Sequence, residues 1–223
     1  MTKHESHDEE SRDDSLDNRK MTIFLICLIG ALVIFAAIVY INQRTGFLST
    51  SDLAYYRYSN GEDSFNVRRI INGNYIGWQT EMYIKDFRYI LEIYNDPASL
   101  EDIEVDRTAK NKILDDKQVF ITWAPAPDFK QTTVFIYNDL KKVIAEPDIF
   151  NIPVGFAQTS EYKNYTVMDC GDATPKQSVI LLKIGEPTSI LTEGNCIILQ
   201  GKDETEIMKA ADRLIYLLLG VMR

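Results

Sequence analysis

Histidine is nearly missing from this chain: both copies, His4 and His7, fall within the first seven of 223 residues. Everything downstream therefore lacks the base of Ser-His-Asp and Cys-His catalysis and the commonest nitrogen ligand of zinc. Basic charge is in deficit too, with 24 Lys and Arg against 33 Asp and Glu and a net charge of −9. That balance argues against nucleic acid or anionic lipid headgroups as partners. A phosphate loop is also absent. The best approach to one is "GNCIILQGKDETEIMKAADRLIYLLLG", where Gly194 and Gly201 stand too far apart and Lys202 is followed by Asp203 rather than by a hydroxyl residue. Asp203 with Glu206 three residues on reads instead as the capped start of a helix.

One long hydrophobic run is present. Residues 21–41, "MTIFLICLIGALVIFAAIVYI", carry no charge, and at about 1.5 Å per residue they match the roughly 30 Å hydrocarbon core of a bilayer. The run shows no polar face and passes into Asn42 and Gln43 without a cleavage signature, which fits an uncleaved signal anchor. Arg19 and Lys20 abut it on the N-terminal side, with Lys3 and Arg12 further back, while Arg44 and Arg57 follow. This asymmetry places the N-terminus in the cytoplasm and the C-terminal part outside.

Residues 1–20 hold eleven charges of both signs and, after Met1, a single large apolar residue, Leu16. Such a segment has nothing to build a core from and reads as a solvated acidic tail. His4 and His7 near Asp8, Glu9 and Glu10 lack the fixed surroundings a metal site needs, so no metal or cofactor is expected. A linker at 42–54 leads to the outer domain, 55–223.

That domain divides into a β-meander at 55–97 and an α/β part at 98–223. Short apolar alternations around Phe65–Ile71, Tyr75–Ile84 and Tyr89–Ile93, with Asn72-Gly73 and Lys85-Asp86 as turns, predict three antiparallel strands. Trp78, Tyr83, Phe87 and Tyr89 read as core and cross-strand pairs before they read as a ligand-stacking face. Beyond Pro97 the pattern predicts a short helix around Thr108–Leu114, a strand over Val119–Trp123, a helix with Val134, Phe135, Tyr137, Leu140, Val143 and Ile144 on its apolar face, and a strand in "IPVGFAQ". Strand, helix and strand in that order imply a parallel crossover. A long polar loop then leads to "SVILLKIG", "TSILTEG" and "NCIILQG", expected to form hairpins, and to a final helix with Lys209, Asp212 and Arg213 off its apolar face. The expected fold class is α/β (α+β) with a mixed sheet, preceded by one transmembrane helix.

Outside the apolar run the cysteines number two, Cys170 and Cys196, and Asn164-Tyr165-Thr166 is a glycosylation sequon. A Cys170–Cys196 disulfide and a glycan on Asn164 both suit an outward-facing domain. The segments "NDPASLEDIEV", "KILDDKQVFIT", "FNIPVGFA", "DCGDAT" and the tail with its Gly-Lys-Asp cap and Ala-Asp-Arg-Leu helix together resemble a set of uncharacterised archaeal single-pass membrane proteins. The resemblance implies an anchored, two-cysteine outer domain and transfers no activity.

Candidate chemistry is limited to carboxylates: Asp169 and Asp172 beside Cys170, the group Glu92, Asp96, Glu101 and Asp102, and Asp128 just past a strand's C-terminal end. Three classes of function follow, in order. First comes an envelope-anchored interaction or assembly protein that is not an enzyme, with the bilayer and a protein as partners. An outward ligand-binding module is next, and a carboxylate-dependent hydrolase last.

Overall fold

The computed structural model describes residues 28–30, 55–125 and 131–223. The chain divides into two units, residues 1–52 and 53–223. Leu28–Gly30 are helical; the rest of the expected span at 21–41, like the tail and linker, lies outside the described residues. Among the described residues no helix is long and apolar enough to cross a membrane.

The second unit is a mixed α/β domain with two sheets. Strands β1 (Tyr55–Ser59), β2 (Ser64–Asn72), β3 (Tyr75–Ile84) and β4 (Phe87–Ile93) form an antiparallel meander in sequence order. The meander has one strand more than expected, because "YYRYS" was assigned no element. Its turns fall at the expected places, with Gly73 and the pair Lys85 and Asp86 all at positive φ. One face carries Val67, Thr80, Leu91 and Met82 into the core. The other presents a polar ladder in which Arg68 donates to Gln79 and Gln79 to Glu92, with Arg88 paired to Glu81 alongside.

The second sheet has six strands in the order β5-β9-β10-β8-β6-β7. These are β5 (Glu104–Val105), β6 (Gln118–Trp123), β7 (Val154–Gln158), β8 (Gln177–Ile184), β9 (Ser189–Glu193) and β10 (Cys196–Gly201). Helix α1 (Thr108–Asp115) precedes β6, α2 (Gln131–Ile144) joins β6 to its parallel neighbour β7, and α3 (Glu204–Leu218) ends the domain. The crossover and the short helix therefore stand where the pattern put them.

The hairpin expectation is corrected in part. β9 and β10 do form a hairpin, but β8 and β9 do not: β10 lies between them, antiparallel to β9 and parallel to β8. The reason is hydrophobic. All six residues of β10 are buried, so it takes an interior position with a neighbour on each side, while β9 with its half-exposed Leu191 and Thr192 and exposed Glu193 lies further out.

Helix α3 holds the two sheets together. Eleven of its fifteen residues are buried, more than one face can account for, because the meander packs on one side and the six-stranded sheet on the other. One apolar cluster joins Val67, Met82 and Leu91 of the meander, Leu214, Ile215 and Leu218 of α3, and Ile121, Ile180 and Leu199 of the mixed sheet. Asp212 and Arg213, expected off the apolar face, are 0% and 5% exposed. Helix α2 is rotated relative to the expectation as well: Ile136, Leu140, Val143 and Ile144 are buried, while Val134 and Phe135 are half open to solvent.

The start of α3 explains "QGKDE". Asp203 Oδ1 accepts the Glu206 N–H at 2.9 Å, whereas the Glu206 carboxylate turns to Thr188 and Lys209 and leaves the reciprocal half of the capping box unmade. Gly201 serves close approach, since a Cβ there would fall 2.5 Å from Ile207 N and 2.6 Å from Glu206 C. Both are backbone atoms and cannot swing aside. Gly201→Ala should therefore lower the urea midpoint by an amount worth about 1–3 kcal/mol, with the m-value unchanged. An unaltered midpoint would mean that the helix shifts freely.

Candidate functional site

All three helices lie on one face of the six-stranded sheet. The opposite face is covered by chain 159–176. This segment first runs along the edge of β7, where Gln158 N donates to Thr166 O and Met168 N to Gln158 O, both at 2.9 Å. It then turns across the sheet, with Thr122 Oγ1 donating to Met168 O at 2.8 Å. Asp169 and Asp172 cap a short 3-10 turn at Cys170–Asp172 through reciprocal side-chain to backbone bonds. The turn delivers Cys170 onto Cys196 of β10, and the disulfide closes with Cα atoms 5.1 Å apart, inside the range bridging requires. Around it Val179, Cys196 and Ile198 form a small second apolar cluster with Met168, Ala173, Leu181 and Leu191 packed on it.

The stapled segment displays aromatic rings. Phe156 of β7 lies 4.6 Å from Trp123, 6.0 Å from Tyr137 and 5.1 Å from Tyr165, and Tyr165 stacks on Tyr162 at 6.3 Å. The run leads from a buried Trp123 out to Tyr162 and Tyr165, which are 39% and 46% exposed. Asn164 lies between those two tyrosines and is itself exposed. The rings singled out in the sequence, Trp78 and Tyr89, are packed against the core, while Tyr83 and Phe87 project at a hairpin. The patch at Phe156, Tyr162 and Tyr165 was missed because its members come from a strand and from a loop with no periodicity.

The carboxylates expected to cluster do separate work. Glu92 sits in the outer ladder of the meander. Asp96 accepts the Tyr56 hydroxyl at 2.6 Å and caps the turn at Pro97–Leu100. Glu101 lies near Tyr58, whose phenol is pushed up by burial first and then by that carboxylate. Asp102 is exposed. Asp128 lies outside the described residues. Among the described residues no group of three or more His, Cys, Asp or Glu converges as a metal site.

A different carboxylate is the one electrostatics singles out. Asp212, in the middle of α3, accepts Asn95 N at 2.9 Å and Asn95 Nδ2 at 2.8 Å on Oδ2, while its Oδ1 is buried without a partner. Tyr216, one turn on, donates to Asn95 O at 3.2 Å, and its hydroxyl lies 3.1 Å from Thr80 Oγ1. These contacts bolt the end of β4 to the helix. Burial pushes the Asp212 carboxyl up to about 8, against the pull of the Asn95 bonds and with Asp139 adding repulsion. Asp139, on α2, is itself pushed up to about 6 by burial, opposed by Lys142. Sealed from solvent, Asp212 joins two layers through Asn95. Its signal was present in the sequence: of the four residues one helical turn away, Met208, Ile215 and Tyr216 are apolar and only Lys209 is charged.

Comparison with family models, with curated proteins and with solved structures finds no match to this chain.

Proposed function

We propose that this chain is a single-pass membrane protein of an archaeal-type envelope, anchored through 21–41 with its N-terminus in the cytoplasm, whose outer domain binds a protein partner and performs no catalysis. The observation that carries the reading is the aromatic run ending at Tyr162 and Tyr165 on a segment tied down by Cys170–Cys196. Disulfides persist in oxidising compartments, which favours the outward placement. Exposed tyrosines on a pre-ordered segment contribute contact area at low entropic cost, the composition that interface hot spots favour. The same rings would stack on a sugar face, which keeps an outward ligand-binding module as the alternative. Of the carboxylates weighed for hydrolysis, Glu92, Asp96, Asp169 and Asp172 are engaged in ladder and cap bonds, which disfavours that reading.

A photo-crosslinking residue at Tyr165 in intact membranes should trap one protein adduct of defined mass, and Tyr162→Ala with Tyr165→Ala should abolish it. A glycan in place of a protein would favour the alternative, and no adduct of either kind would sink both. Protease added outside intact cells should cut beyond residue 46 and spare the tail. If Asn164 carries a glycan, Asn164→Gln lowers the apparent mass; an unmodified Asn164 leaves the rings fully open.

A further inference from the structure

The domain is acidic overall, yet one of its clefts collects cations. It opens where the β1–β2 turn, the start of α1 and the chain after α3 meet, has a volume of ≈480 Å³, and is lined by the cations Arg107, Lys110 and Arg223 and the carboxylates Glu62 and Asp63, with Asn60 on the wall. Of the three cations, Arg223 is paired with Glu62. The other ion pairs among the described residues are Arg88–Glu81 and Lys209–Glu206, so Arg107 and Lys110 face the cleft without a carboxylate bonded to them. Asp63, also on the cleft lining, is exposed in the β1–β2 turn, where its backbone N–H is held by Asn60 Oδ1.

Behind this lining stands Arg213 of α3. It is 5% exposed, its Nη2 donates to Arg223 O at 2.5 Å, and its Nε and Nη1 are buried with no partner. Burial pulls its guanidinium down; Tyr58 opposes this first and Glu101 less strongly, while Arg107 adds repulsion. Lys110 is likewise pulled down by burial. A buried guanidinium with idle N–H groups, close to a second guanidinium, is costly unless an anion neutralises it. Arginine's planar fork suits the oxygens of carboxylate and phosphate.

We propose that this cleft binds a small oxyanion, a carboxylate or a phosphate-type group, held by Arg107 and Lys110, with Arg213 supplying field from behind. The site stands apart from the aromatic run and does not depend on how the chain is anchored.

The test is calorimetric titration and thermal unfolding of the full-length protein in detergent, with inorganic phosphate and glucuronate as separate probes against sodium chloride at matched ionic strength. At least one probe should bind saturably in the millimolar range or tighter and raise the unfolding midpoint by a few degrees. Phosphate alone points to a free inorganic ion; glucuronate alone points to an acidic sugar. Arg107→Gln with Lys110→Gln should weaken binding at least tenfold, and Lys183→Gln, an exposed lysine of β8, should leave it unchanged. The single change Arg107→Gln serves if the pair folds poorly. No saturable binding of either probe, or equal affinity in the Arg107 variant, would overturn the site.

Discussion

Replacing Asp212 by Asn should remove the largest pH-dependent component of this domain's stability between about pH 4 and 8. The carboxyl titrates near 8 in the native state against a usual value of 3.8, so the folded form binds its proton more tightly than the unfolded form. Stability from this group is complete below about pH 4 and is lost as pH rises through 8. A difference of that size corresponds to roughly 6 kcal/mol once the native group has ionised. The groups facing it do not neutralise it: Asp139 on α2 adds negative charge, and Tyr216 beside it is a phenol pushed up by its own burial. Tyr75 and Tyr94 of the meander are pushed up as well, by burial first, Tyr75 to about 12. Asp106 and Glu206, lowered by hydrogen bonds, act in the opposite sense, losing stability only as pH falls through the acidic range.

Asn at position 212 keeps an oxygen for Asn95 and never ionises. The variant should match the parent below about pH 4 and exceed it by several kcal/mol at pH 9 in urea titrations. Parallel pH profiles for the two proteins would show that Asp212 does not control the transition.

Opening the Cys170–Cys196 bridge should be the next largest loss. The two residues are 26 apart, and on the chain-entropy model closing such a loop stabilises by about 3.5 kcal/mol. In a domain of this size that is roughly 10 °C in midpoint. Cys196 is fully buried, so Ala at both positions is a cleaner change than Ser, which would bury a hydroxyl. Cys170→Ala with Cys196→Ala should also release 159–176 from the sheet, seen as faster proteolysis within that segment than elsewhere. A non-reducing peptide map with two free thiols would refute the bond.

The two largest effects differ in how far the sequence announced them. Cys170 and Cys196 were legible by elimination, being the cysteines outside the apolar run, and β6, α1 and β7 followed from apolar alternation and flanking prolines. Asp212 was read as a surface residue because helical periodicity assumes one buried face. A helix packed between two sheets has no free face, and its few polar residues are then enclosed with everything else. On α2 one buried face does exist, but it centres on Ile136, Leu140 and Val143 and leaves Val134 and Phe135 open. Strand order was hidden for a different reason: hairpin logic joins β8 to β9, and only the uninterrupted burial of β10 argues for placing it between them. The basic cleft was beyond reach, since Asn60, Arg107, Lys110 and Arg223 are brought together by three separate turns of chain.

The position of β10 and α3 bears on how the protein is made. They follow every other element along the chain, yet one occupies the interior of the mixed sheet and the other the space between both sheets. Strands synthesised earlier have no inner surface to settle on until these last two emerge. A polypeptide that leaves the ribosome or crosses a membrane from its N-terminal end therefore keeps the inner faces of the meander and of the β6–α2–β7 unit uncovered until β10 and α3 have passed. The apolar faces and strand edges left open in that interval are the stage at which a chaperone would act.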